Sequence, residues 1–382
     1  MKKLLVIGLI FSAFAASAQD SVFARKIVDT LTAPYFWGRG YTNDGMGKAA
    51  RYLSAQYASY GLLPLGDDHY EQPFSYNANT FPGAMEVSVN GVSLLPGKDF
   101  VIGPQSRGVK GRGSLVKTDS IHYVDGVNRI VLTLQDKLTW SVEQEMADFT
   151  EVQVDKKALS GTPKTIKADI ENNFIKDFPA ANICGYVKGT AKPDSFFVFT
   201  AHYDHLGGMG NKTYFPGAND NASGISQLLN LARYFAQHPQ RYSIAFICFS
   251  GEEAGLLGSQ YFSQHPLIPL DKIRFLVNMD ILGTGEEGIT AVNATVYPKE
   301  FAVLRKINDE NHYLVKIASR GKAANSDHYW FTEKGVPAFF VYTMGGIKAY
   351  HDVFDISKTL PLNEYKHLFK LLVAFSTAIM KP

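Results

Sequence analysis

Acids and histidines recur just after apolar runs in the second half of this chain. Phe196-Phe197-Val198-Phe199-Thr200 leads into Ala201-His202-Tyr203-Asp204-His205, and the run Ile244 to Phe249 leads into Ser250-Gly251-Glu252-Glu253. Phe275-Leu276-Val277-Asn278-Met279 is followed by Asp280, and the run from Ala338 to Tyr342 passes through a glycine turn into Tyr350-His351-Asp352. Between the first two runs lies Pro216-Gly217-Ala218-Asn219-Asp220-Asn221-Ala222-Ser223-Gly224, whose small residues let the backbone approach an ion closely. Each feature alone has an ordinary explanation. His202-x-Asp204 fits a surface pair, and Asp220 a loop or helix cap. Glu252-Glu253 fits a charged helix start, Asp280 a cap, and His351 a structural histidine. As a set, His202, Asp220, Glu253, Asp280 and His351 are the donor mix for a pair of divalent ions such as zinc, each taking one histidine and one terminal carboxylate, with a third carboxylate shared. Two such ions about 3.5–4 Å apart share a hydroxide and polarise a carbonyl. Glu252, adjacent but unligated, is then placed to act as general base and later as acid. Asp204 reaches the His202 ring from behind and fixes its tautomer.

These residues converge only if the apolar runs form one sheet. The four runs are continuously apolar, as strands buried on both faces are. They alternate with helical patterns near 223–237, 254–264, 299–311 and 360–379, which predicts a three-layer α/β/α sandwich around a mostly parallel mixed β-sheet. In such sheets the C-terminal strand edges line the ligand crevice. Helices are also expected over 22–34 and 46–60, the second ending at Gly61. Residues 80–178 read differently, as short β-rich runs such as Glu86-Val87-Ser88-Val89 and Arg129 to Leu134 between turn residues. The expected organisation is therefore a catalytic domain of 19–79 plus 179–382, interrupted by a β-rich module or lid at 80–178 that holds few candidate catalytic clusters.

Of the 382 residues, 46% are hydrophobic and 19% charged, which excludes wholesale disorder and coiled coil. A formal charge of +2 gives no electrostatic drive toward nucleic acid or an anionic membrane. Lys2 and Lys3, the apolar run Leu4 to Ala15 and the small-residue exit Ala16-Ser17-Ala18 describe a signal peptide over 1–18, hence an exported protein, periplasmic or extracellular, without a membrane anchor. The two cysteines, Cys184 and Cys248, exclude a disulfide scaffold and sit in strand-like runs, where they are expected as buried thiols.

The motifs His202-x-Asp204, Gly217 to Gly224, Gly251-Glu252-Glu253, Asn278-Met279-Asp280 and Tyr350-His351, in this order and spacing, resemble the zinc-dependent M28 metallopeptidases. The resemblance covers 181–382, and extends weakly to Trp37-Gly38-Arg39-Gly40 and Tyr60-Gly61-Leu62. It implies two zinc ions, peptide substrates and an aminopeptidase activity. Asp220 would bridge, His202 and Asp280 would complete one site, and Glu253 and His351 the other. Glu252 would shuttle the proton and Tyr350 would donate to the developing oxyanion. Asp204 would orient His202, and Asp355 would do the same for His351. Ser326-Asp327-His328 resembles a family motif behind the site. Asp352 stands where a small hydroxyl residue is common, and 80–178 does not clearly match the protease-associated insert of some members. The resemblance also reaches the single-zinc glutaminyl cyclases and the glutamate-type carboxypeptidases. Retention of all five ligands argues against the first. The second need basic residues such as Arg320 and Lys322 to grip a carboxylate.

Overall fold

The computed structural model describes residues 21–66 and 69–381; the expected signal peptide, residues 1–18, lies outside them. Among the described residues the main sheet has nine strands. In spatial order they are Leu63–Pro64, Asn173–Val187, Tyr242–Phe249, Lys192–His202, Ile273–Met279, Ala338–Thr343, Ile289–Val292 and Ile317–Ser319, with Glu71–Thr80 also pairing with Asn173–Val187. The four central strands, Tyr242–Phe249 through Ala338–Thr343, are mutually parallel, and their flanks are antiparallel.

The pleat explains the apolar runs. Phe197, Phe199, Ile244, Phe246 and Phe275 pack on one face under the helices Gly45–Tyr60, Gly224–Gln237 and Tyr365–Ile379, in a core that includes Leu53, Leu228 and Phe375. Phe196, Val198, Ala245, Ile247 and Leu276 pack on the other face against Phe262 and Phe331 of the helices Leu257–Gln264 and His328–Glu333. Successive residues therefore alternate between two cores, so most central-strand positions are apolar, and buried polar ones such as Thr200 and Asn278 are paired with each other.

Two helices start later than their hydrophobic pattern predicts. The helix expected from 254 begins at Leu257, because Gly255 and Leu256 adopt left-handed φ values of 113° and 62° in turning away from the Glu252-Glu253 pair. The helix expected from 360 begins at Tyr365, after Leu362 at φ 56°.

The long antiparallel pair Glu71–Thr80 and Asn173–Val187 leads out of the main sheet into two smaller sheets. One joins Phe100–Ile102, Thr150–Asp155, Ile130–Gln135, His122–Asp125 and Val116–Lys117; the other joins Val92–Leu94, Met85–Val89, Thr165–Ile170 and Val109–Ser114. Their shared core, which includes Phe100, Ile130, Leu132, Val152 and Ile166, is continuous with Leu206, Met209 and Phe215, which follow the main-sheet strand Lys192–His202. Cys184 is in register with Ile247 and Cys248 with Ile183 on adjacent strands, so the pleat puts the two thiols on opposite faces, and both are free.

Candidate metal centre

Three neighbouring parallel strands deliver the site. His202 ends its strand, Asp280 directly follows Met279 on one side, and Glu252-Glu253 follow Phe249 on the other. Asp220 lies in the tight turn Ala218–Ser223 that opens the helix Gly224–Gln237. The turn needs Gly217, which has φ 60° and where a Cβ would lie 2.1 Å from the Asp220 carbonyl oxygen.

The five expected ligands come together as two sets. His202 Nε2 lies 3.2 Å from Asp280 Oδ1 and 3.3 Å from Asp220 Oδ1. His351 Nε2 lies 3.3 Å from Asp220 Oδ2 and 3.1 Å from Glu253 Oε2. The two oxygens of Asp220 thus face two different histidines. Donors on a tetrahedron about 2.0–2.1 Å from a zinc ion are about 3.3 Å apart. The four histidine–carboxylate spacings fit that, and ligand atoms of His202, Asp220 and Glu253 also lie within 4.8 Å of one another, so the two sets adjoin. The Glu252 carboxylate lies beside the first set, with ligand atoms of His202, Glu252 and Asp280 within 4.8 Å of one another.

A layer of fixed partners holds each ligand. The His202 Nδ1 lies 3.2 Å from the Asp204 carbonyl oxygen and 3.7 Å from its carboxylate. That carboxylate accepts the Glu252 and Glu253 amides at 3.2 and 3.3 Å, so Asp204 ties two strand ends together. Ser326 Oγ donates to Asp280 Oδ2 at 3.0 Å, Asn278 donates to Ser326 at 2.8 Å, and Thr200 donates to Asn278 at 2.7 Å.

Asp355 corrects an expectation. It does not orient His351; its carboxylate accepts the Asn219 and Asp220 amides at 2.9 and 3.0 Å and so holds Asp220, which faces both histidines. The Nδ1 of His351 is instead 3.0 Å from the carbonyl oxygen of Trp140, in the β-rich segment. Asp352 caps its own loop, accepting the Phe354 amide at 2.9 Å and the Tyr350 amide at 3.3 Å, which accounts for the acid in place of a hydroxyl.

Three further contributors carried no assignment from sequence. His205 Nδ1 lies 2.7 Å from Glu253 Oε1 and fixes the oxygen opposite the one that faces His351. Its position three residues after His202 is the signal that was available. Arg39 is fully buried and donates to the carbonyl oxygens of Tyr203, Pro216, Gly217 and Asp220 at 2.7–3.0 Å, clipping together the loops that carry His202 and Asp220. Neighbouring Gly40 allows this approach, since a Cβ there would lie 2.3 Å from Gly207 Cα. Trp140 is the third, and no local pattern marks it.

The electrostatics show a centre that attracts positive charge. Burial acts to lower the His202 pKa, but Asp280 and Glu252 outweigh it and hold the imidazole well above its usual value. Burial likewise opposes protonation of His351, yet Glu253 and Asp220 lift it to about 11. Burial, with Asp280 and Asp327 beyond the opposing His202, raises the Glu252 carboxyl well above the carboxylate range. Burial lowers Arg39 to about 10, against the pull of Asp220 and Asp355, so it stays charged at neutral pH. A divalent cation satisfies the same field that otherwise holds protons on the two histidines. Tyr350 stacks on the His351 ring with centroids 4.0 Å apart, and burial beside Asp220 raises its phenol, which therefore remains a donor.

The fold and this centre define an α/β/α protein with a buried histidine–carboxylate site on its C-terminal strand edges. The family model of peptidase family M28 matches residues 182–376, and the chain belongs to that family. A probable zinc metalloprotease of Pyrenophora tritici-repentis is 34% identical over 134 residues, 31% of each chain. Aminopeptidase YwaD of Bacillus subtilis is 32% identical over 160 residues, 39% of this chain and 32% of its own. The chain thus spans about a third of the length of these curated relatives. The solved structure of a peptidase M28 precursor from Shewanella amazonensis covers 98% of this chain and 96% of its own, with a TM-score of 0.74 at 15% identity. A zinc aminopeptidase structure from Bacillus subtilis covers 94% of both chains, with a TM-score of 0.70 at 18% identity. At these identities the likeness concerns the fold.

Proposed function

We propose that the chain is an exported aminopeptidase that holds two zinc ions and hydrolyses the N-terminal bond of peptides. The observation that carries this reading is the division of the Asp220 carboxylate between two histidines, each with its own terminal carboxylate. His202 and Asp280 would hold one ion, Glu253 and His351 the other, and Asp220 both. When bound, the ions supply Lewis acidity that polarises the scissile carbonyl and acidifies the attacking water. The remaining steps belong to the chain's own groups. The Glu252 carboxylate accepts the water proton and delivers it to the leaving amine, a role supported by its place beside His202 and Asp280. The protonated Tyr350 phenol donates to the carbonyl oxygen as negative charge develops there. The names of the relatives support zinc and aminopeptidase chemistry, and residues 1–18 support export.

The carboxypeptidase reading has less support. Lys322 is paired with Glu333, which occupies one of the two cations that reading requires. The test is a peptide panel, free and N-acetylated, including sequences that begin with Gln, read by mass. The expected product lacks the N-terminal residue, arises only from free peptides, and falls about 10²–10⁴-fold with Glu252→Gln while zinc content is retained. C-terminal trimming of acetylated peptides, or loss of ammonia alone from Gln peptides, would overturn the proposed reaction.

A further inference from the structure

The β-rich segment reaches the metal centre through an irregular stretch, residues 136–149, between the strands Ile130–Gln135 and Thr150–Asp155. It touches the loops that carry His351 and Glu253 at three points. Lys137 Nζ donates to the Lys348 carbonyl oxygen at 3.1 Å and lies 3.6 Å from Asp352. Trp140 pairs with His351 twice: its amide donates to the His351 carbonyl oxygen at 2.8 Å, and its carbonyl oxygen lies 3.0 Å from His351 Nδ1. Gln144 Nε2 donates to the carbonyl oxygen of Ala254, directly after Glu253, at 2.9 Å. The stretch thus bridges the two loops that supply the terminal ligands of the second set. The first set is supported differently, from within the main-sheet domain, by Asp204 behind His202 and Ser326 behind Asp280.

Trp140 is the anchored point of this stretch. Its indole is buried, donates to the Ile102 carbonyl oxygen at 2.7 Å, and stacks on Phe215 with ring centroids 4.7 Å apart. The side chain therefore fixes where the main-chain carbonyl sits. That carbonyl takes the Nδ1 proton of His351 and leaves Nε2 facing Asp220 and Glu253, which sets both tautomer and ring direction. An outside clamp is needed here, because His351 is held at a left-handed φ of 52°, which a residue with a Cβ does not favour.

We infer that Trp140 is a positioning residue for the second cation site, so that the β-rich segment is a working part of the metal centre. The inference rests on the two-cation reading above. It is tested on the full chain, stripped of metal and titrated with zinc against a competing chelator, with cobalt absorption as a second readout. Three variants are compared with the wild type: Trp140→Ala, Trp140→Phe and Leu132→Ala. Leu132 is fully buried in the same core, and its truncation loosens the segment without touching a ligand. Trp140→Ala is expected to weaken one binding step about 10–100-fold, leaving the other within about twofold. Trp140→Phe, which keeps the stack and loses the indole donor, should shift the same step less, and it carries the comparison if Trp140→Ala does not fold. Leu132→Ala should lower Tm and leave both steps unchanged. The inference is overturned if the Trp140 variants move neither step, or if Leu132→Ala moves them equally. A wild type that binds a single ion would instead defeat the two-cation reading. The clamp is then judged on that ion: weakening in the Trp140 variants but not in Leu132→Ala supports it, and any other pattern overturns it.

Discussion

His328 opens the short helix behind the centre, two residues after the serine that holds Asp280, and is fully buried with its ring 5.3 Å from that of Phe340. Burial lowers its pKa from 6.5 to about 4, so the folded chain keeps it neutral where the unfolded chain would charge it. The sign follows from linkage. The stability tied to this residue is complete above pH 6.5 and is lost as the pH falls through the unfolded pKa toward 4, because the unfolded state binds the proton first. The fall from 6.5 to about 4 corresponds to about 3 kcal/mol in all, of which about 2 kcal/mol is gone by about pH 5. The assay is urea unfolding of the metal-stripped protein between about pH 7.5 and about pH 5, comparing wild type with His328→Phe. Titrations of His202, His351 and the carboxylates are common to both and cancel in the difference. The wild type should lose about 2 kcal/mol more than the variant over this range. Parallel curves would show that His328 charges freely in the folded state, and would refute the argument from burial.

Further outcomes follow from the same geometry. Asp355→Asn should weaken both zinc-binding steps about 10–100-fold, because the amides it holds position the shared ligand Asp220, and weakening of a single step would contradict that role. Burial raises the Cys184 thiol well above its usual range and Cys248 to about 12, and the two face opposite cores. A thiol reagent should therefore find no reactive group in the folded protein and two after denaturation without reductant; fewer than two would reveal a disulfide the pleat forbids.

The sheet and the residues of the candidate site were legible because both rest on local pattern. A buried parallel strand announces itself as a continuous apolar run, and its end is where the first acid or histidine appears. His202, Asp280 and Glu252-Glu253 were found in this way. What the sequence did not display is which group supports which ligand, since that depends on chain crossings. Asp355 is near His351 in sequence but reaches the Asn219 and Asp220 amides in space. Trp140 is 211 residues from the histidine it faces, in a segment that holds few candidate catalytic clusters. Arg39 acts entirely on backbone carbonyls, a role that no motif of side chains encodes.

The central claim is that Asp220 joins two cation sites of unlike make-up. The most direct measurement is a crystal structure of the zinc-soaked protein with anomalous data at the zinc edge. Two peaks are predicted, one bonded to His202 and Asp280, the other to Glu253 and His351, with one Asp220 oxygen on each. A single peak, or a second one away from His351, would contradict the account.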